Sequence, residues 1–226
     1  MSFAGFGAQA LPFFKGLAFH QAKDWFEANR ATYESDVKTP FGDLVEALSA
    51  GLAKAGLPLR GNRKASLFRL NRDVRFAKDK SLYKTHAGAV LTRSGAKNDK
   101  GLLYIHIAPE GCFSAAGFYH CEPEDLLRYR RAIVQAPKAW TKLVAGLAKK
   151  QLTLSDEGSL QRLPRGFEAV KDPAIAAAIK RKSFICMRQI EAKRLASADL
   201  VRDLVIFAKD SAPLLEWGWA AGLDER

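Results

Sequence analysis

The chain has 226 residues, 48% of them apolar, with 36 Lys and Arg against 24 Asp and Glu for a formal net charge of +12. That is enough apolar material for a packed core, no run of 18 or more uncharged apolar residues offers a membrane-spanning helix, and three cysteines make an odd number in a chain too large to depend on disulfides. The apolar start from Phe3 to Phe19 is interrupted by Lys15 and lacks a basic leader or small-residue cleavage pattern, so a cytoplasmic protein of one domain, 1–226, is expected, with no membrane association.

The predicted elements begin at Asp24-Trp25-Phe26-Glu27, an N-cap with a carboxylate three residues on. Trp25, Tyr33 and Val37 then recur at multiples of four, an amphipathic helix over about 24–38. Thr39-Pro40 restarts a helix whose stripe is Phe41, Leu44, Val45, Leu48 and Leu52, ending at Gly56 and Pro58, so two helices are expected to lead the fold. The period then shortens to that of strands: Ser66–Leu70, Ala87–Thr92, Leu102–Ala108 and Cys112–Tyr119, joined by connections too short for helical crossovers. Helical patterns resume after Pro123 and over Ala139–Lys150. A small helix at Ala174–Lys180, a strand at Ser183–Ile190 and helices from Asp199 to about Gly222 complete the chain. The expected class is α+β, a central, mostly antiparallel sheet with helices at the N- and C-terminal ends.

The charge is unevenly placed. Arg60–His86 holds nine Lys and Arg against two Asp, Lys180–Arg194 holds six against one Glu, and the remainder balances at 21 to 21. Two basic segments on a neutral body imply an anionic partner. The densest chemistry is in Phe68–His86. If the strand continues there, Phe68, Leu70, Val74 and Phe76 fall on one side and Arg69, Asn71, Asp73 and Arg75 on the other; a turn at Asn71-Arg72-Asp73 is the alternative. Guanidinium groups are crowded either way. Two such charges about 6 Å apart repel by roughly 3 kcal/mol at an effective dielectric of about 20, so clustering requires Asp73 and Asp79 as counter-ions, a bound anion, or both.

The run Phe68-Arg69, Arg72-Asp73-Val74-Arg75-Phe76, Lys78-Asp79-Lys80, Tyr83-Lys84-Thr85-His86 resembles the RDxRFxxDKxPYK signature of a widespread bacterial and fungal family known only as a domain of unknown function. Phe3-Ala4-Gly5-Phe6 resembles that family's FxGF, Trp25-Phe26 with Asn29, Arg30 and Tyr33 its first helix, Arg130 and Ile133 its RxxI, and Leu163-Pro164-Arg165-Gly166-Phe167 its PxGF segment. The resemblance implies no reaction. Leu82 replaces the usual proline, which should loosen the turn before Tyr83 and the pose of Lys84. His20-Gln21-Ala22 replaces an asparagine-rich stretch.

The candidate ligand-binding set is Arg69, Arg72, Arg75, Lys78, Lys80, Tyr83, Lys84, His86, Tyr104 and Arg165; Asp73, Asp79 and His106 are candidate acid, base or orienting groups. His106 and Tyr104 alternate with Leu103, Ile105 and Ile107, which puts an imidazole and a phenol on one strand face. Cys112, His120 and Cys121 lack the spacing of a zinc site, no GxSxG elbow occurs, and Gly5, Gly7 and Gly16 form no phosphate loop, so no metal and no nucleotide cofactor is expected. Three uses fit these residues: a pocket for a small phosphate- or carboxylate-bearing molecule, in a binding protein or an enzyme; a nucleic-acid-binding surface; or an interaction module whose charges pair internally. The aromatics Phe68, Phe76 and Tyr83 read as packing residues, which ranks the pocket first.

Overall fold

In chain order the computed structural model, which describes residues 2–73, 75 and 78–222, begins with helix α1 (Ala10–His20). Two short helical pieces follow, α2 (Lys23–Ala28) and α3 (Arg30–Thr32), then a π-helical turn (Tyr33–Lys38) and α4 (Thr39–Lys54). Three strands come next, β1 (Ala87–Thr92), β2 (Leu102–Ile107) and β3 (Cys112–Phe118). Helices α5 (Pro123–Gln135), α6 (Pro137–Lys149) and α7 (Pro173–Lys180) lead to β4 (Phe184–Ile190), the short α8 (Ala192–Leu195) and the long α9 (Leu200–Ala221). The strands pair antiparallel in the order β1-β2-β3-β4, so the α+β class holds.

The expectation of two leading helices overlooks α1. Ala10, Phe13, Phe14 and Leu17 are buried at helical spacing, but Gln9 precedes them without a side-chain cap, so the sequence carries no start signal. Asp24 is likewise not an N-cap: α2 begins at Lys23 after an extended Ala22, and Asp24 lies in the first turn, where its charge complements the helix dipole. Nor does Thr39-Pro40 restart a helix, since Lys38 is still helical (φ −70°, ψ −47°). Pro40 removes one ladder donor, and the widened π turn Tyr33–Lys38 immediately precedes it.

All five stripe residues of α4, Phe41, Leu44, Val45, Leu48 and Leu52, are buried, and the helix stops at Lys54, with Ala55 as its C-cap and Gly56 in the left-handed region just after it (φ +72°). Each such burial is worth roughly 1.5–3 kcal/mol, which outweighs the roughly 1 kcal/mol that a missing N-cap costs. The four strands that form the sheet lie where the alternation puts them. Ser66–Leu70 does not form a strand; it is tied by an isolated antiparallel bridge from Leu67 to Ala89. At the C-terminal end one helix, α9, replaces the expected set. Leu200, Leu204, Phe207, Ala208, Ser211, Leu214 and Leu215 are buried at one helical period on both sides of Pro213.

The backbone divides into two compact units. The first comprises residues up to 99, 103–114 and 189–207, the second 100–102, 115–188 and 208 onward; neither is a continuous stretch. In the second unit β3 and β4 approach so closely at Gly117 (φ +133°) that a Cβ there would stand 1.9 Å from the Phe184 carbonyl oxygen. Arg130 also acts within this unit, donating from Nε to the Ile179 carbonyl at 2.7 Å and so joining α5 to the end of α7. The Arg130 and Ile133 pair therefore has structural work, Ile133 being fully buried.

Candidate functional site

The basic segment 69–86 lies in the first unit. An antiparallel bridge joins Asn71 to Tyr83, with the Arg72 N–H on the Leu82 carbonyl and the Lys84 N–H on the Leu70 carbonyl, both at 2.9 Å. Beyond this pairing lies a loop that carries Asp73, Arg75 and Lys78 to Ser81. The chain leaves the pairing because acidic side chains bond their own backbone: Asp73 accepts from the Arg75 N–H at 3.3 Å and Asp79 from the Ser81 N–H at 2.9 Å. The expected apolar side, Phe68, Leu70, Val74 and Phe76, is realised at Leu70, which is buried, whereas Phe68 is 37% exposed. Val74 and Phe76 lie outside the described residues.

The loop settles part of its own charge. Asp73 takes a forked pair of bonds from Arg75, which is 76% exposed along its side chain, and Asp79 accepts from Arg72 at 2.6 Å and from the Ser81 hydroxyl. Arg75 holds the Asp73 carboxyl below its usual range, and Ser81 with Arg72 does so for Asp79, which makes both weak bases and good orienters. Lys78 and Lys80 are exposed on this loop.

What the loop leaves over is a cluster of cations. Burial, and then Arg69, Lys97 and Arg72, push the Lys84 ammonium below its ordinary pKa. The Lys84 and Lys97 nitrogens lie 5.4 and 5.2 Å from the centre of the Phe68 ring, and Lys97 donates to the Leu67 carbonyl at 2.5 Å. Among the described residues no carboxylate forms an ion pair with Arg69, Lys84 or Lys97, although Asp73, bonded to Arg75, attracts Arg69 from further off. Lys97 is outside the sequence-predicted set, because the β1–β2 hairpin returns it to residues 67 and 68 from 30 positions away.

Beside this cluster the sheet face is lined with rings. β2 presents Tyr104 and His106, half-buried, between buried Leu103, Ile105 and Ile107, as the alternation requires. His106 lies between His86 and Phe113, with ring centres at 4.5 and 4.7 Å, and its Nδ1 shares a hydrogen bond of 2.9 Å with the Tyr104 hydroxyl. Tyr104 extends the row to Phe68 at 6.3 Å. A Cβ at residue 88 would come within 2.7 Å of the Tyr104 oxygen, so Gly88 makes room for the phenol over β1. Burial, reinforced by His86 and opposed by Glu110, lowers His106 to about 4; burial and then Lys84 lower His86, also against Glu110. Both imidazoles are neutral at pH 7.

Gln21 sets the pose of Tyr83 and Lys84. Its Oε1 accepts the Tyr83 N–H at 2.9 Å and its Nε2 donates to the Tyr83 carbonyl at 3.1 Å, while the Tyr83 ring is buried and stacks on Phe26 at 4.9 Å. To reach there Gln21 adopts φ +41° as the left-handed C-cap of α1, a posture that costs a non-glycine residue roughly 1 kcal/mol. The clamp supplies the order that a proline at position 82 would otherwise give. Gln21→Ala leaves two part-buried backbone groups unbonded, so a loss of about 1–3 kcal/mol in urea unfolding is expected.

Arg165 lies in the second unit, exposed in the turn 163–167, where the Glu168 carboxylate accepts the Gly166 N–H at 3.0 Å. The second basic window is largely occupied with structure. Arg181 pairs with Asp156 at 2.5 Å; Arg188 donates to the Lys150 carbonyl and to Asp210, both at 3.0 Å; Arg194 bonds Asp203 at 2.7 Å. Arg188→Ala should therefore lower stability in urea unfolding by about 1–3 kcal/mol. Cys112, Cys121 and Cys186 are free thiols, and burial pushes Cys121 and Cys186 up to about 12, which leaves neither activated. Among the described residues no group of three His, Cys, Asp or Glu is arranged to hold a metal ion, and no helix is long and apolar enough to cross a membrane.

These features define an α+β protein whose first unit sets a carboxylate-poor cation cluster against an aromatic sheet face. Within that class the chain belongs to the family described as a conserved hypothetical protein, DUF2461, whose profile matches residues 9–217. Neither the curated proteins nor the solved structures give a match.

Proposed function

We propose that this protein binds a small phosphate- or carboxylate-bearing molecule in a basic cleft formed around Arg69, Arg72, Lys84 and Lys97. One observation carries the reading: Arg69, Arg72 and Lys97 gather around a half-buried Lys84, whose ammonium form burial and then these cations disfavour, and Arg69, Lys84 and Lys97 form no ion pair with any described carboxylate. Such an arrangement holds unfavourable energy in the free protein that an oxyanion releases through charge-assisted hydrogen bonds. Asp79 orients Arg72, Gln21 orients Lys84, and neutral His106 with Tyr104 stands ready to accept or donate a proton should the bound molecule be transformed.

A nucleic-acid duplex bridging about five phosphates would give log affinity a slope of about −4 to −5 against log salt, whereas one small anion gives a shallow dependence. Arg69→Gln tests the assignment. It should weaken phosphate binding at least tenfold in calorimetry while circular dichroism and melting stay native; phosphate affinity equal to that of the wild type would contradict it.

A further inference from the structure

The cation cluster and the ring face meet at Phe68. From it the rings run without interruption through Tyr104 at 6.3 Å to Phe113 at 6.0 Å and on to His106 and His86. The two imidazoles of the row are uncharged at neutral pH, and Phe68 is a large apolar side chain, 37% exposed, next to two ammonium groups.

Resting on the anion reading above, we propose that the ligand is a small acid carried on a planar aromatic ring, a molecule the size of a mononucleotide. Its ring lies against the Phe68 and Tyr104 part of the sheet face, and its acid group meets Lys84, Lys97 and Arg69. Both ammonium groups lie within 5.4 Å of the same ring centre, and Lys97 is near enough to disfavour the Lys84 charge, which is the setting in which an acid group drawn to one also meets the field of the other. In the free protein both ammonium groups lie over Phe68, and Lys97 is also held by the Leu67 carbonyl; when an oxyanion takes them, the face of Phe68 is released for the incoming ring. The compactness of the cluster favours a single acid group over a strand of phosphates. Arg75, which would extend it, is turned to Asp73.

The test is calorimetry on the full chain at constant ionic strength with inorganic phosphate, ribose 5-phosphate, phenyl phosphate, adenosine 5′-monophosphate and a short oligodeoxythymidylate. Phenyl phosphate and the mononucleotide should bind at least tenfold more tightly than ribose 5-phosphate, and Phe68→Leu should cut that advantage severalfold. Tyr104→Leu serves the same purpose if the first variant does not fold. Equal binding of phenyl phosphate and ribose 5-phosphate, or an advantage that survives both substitutions, overturns the ring assignment and leaves the anion site standing. No binding by any of the five removes both. Oligodeoxythymidylate bound a hundredfold more tightly than the mononucleotide, with a steep salt dependence, overturns the small ligand in favour of a single strand.

Discussion

Lys84→Met should make the ligand-free protein more stable and at the same time nearly abolish its affinity for phosphate. Substitutions at half-buried positions usually destabilise, so the sign is diagnostic. Lys84 loses solvation by burial and faces Arg69, Lys97 and Arg72, each of which disfavours its ammonium form, while methionine keeps the unbranched stem against Phe68. Water reaches the group, which reduces the repulsion from roughly 3 kcal/mol at an effective dielectric of about 20 to a gain of about 0.5–1 kcal/mol on its removal. In a chain of 226 residues this raises the melting temperature by roughly 1–4 °C. Loss of a charge-assisted bond to the anion costs roughly 1.5–3 kcal/mol, a tenfold to hundredfold fall in affinity. Differential scanning calorimetry without phosphate, followed by titration with it, reads both effects. A variant that melts lower than the wild type and binds phosphate as well would mean that Lys84 is an ordinary packing residue.

The second large effect is on acid stability. His106 is lowered to about 4 from 6.5, and His86 is lowered too, so between these values the unfolded chain binds more protons than the folded one. Stability therefore rises with pH across that window: the contribution is complete above about pH 6.5 and is lost as the pH falls towards about 4. Solvent contact at the His106 ring keeps its share to roughly 1–2 kcal/mol. The lowered carboxyls, Asp73 and Asp79 from 3.8 and Glu27, Glu46, Glu168 and Glu191 from 4.5, add their own loss at the acid end of this window, so the imidazole share is read from the difference between wild type and variant. Urea unfolding at stepped pH should show the loss in the wild type and a flatter profile in His106→Gln. Identical slopes in the two proteins would show that the imidazoles are not what the acid attacks.

The fold was legible wherever burial follows a short period. The alternation of Leu103, Ile105 and Ile107 with Tyr104 and His106 gave β2 and its two faces, and the stripe from Phe41 to Leu52 gave α4. It was illegible where bonds that no pattern encodes decide the outcome. α1 starts without a capping side chain, the helix passes through Pro40 by widening into a π turn, and Ser66–Leu70 is held by isolated bridges because Asp73 and Asp79 turn the chain onto itself.

The site followed the same division. Charge density pointed to Arg69, Arg72 and Lys84, which the fold places near one another. It did not separate Arg75, which Asp73 engages locally, from the cations left for a ligand, nor the second basic window, whose Arg181, Arg188 and Arg194 are committed to Asp156, Asp210 and Asp203. Lys97 and Gln21 are brought in by tertiary contacts from 30 and 62 positions away, and nothing local marks either. Phe68 was expected to pack and instead stands exposed between two lysines, which joins the cations to the aromatic face.

Titration calorimetry of inorganic phosphate at fixed ionic strength, on the wild type and on a double variant carrying Arg69→Gln and Lys84→Met, addresses the account most directly. The wild type should give a saturable one-to-one isotherm that the double variant loses while keeping a cooperative melt. No saturable heat from the wild type, or the same isotherm from both proteins, would contradict it.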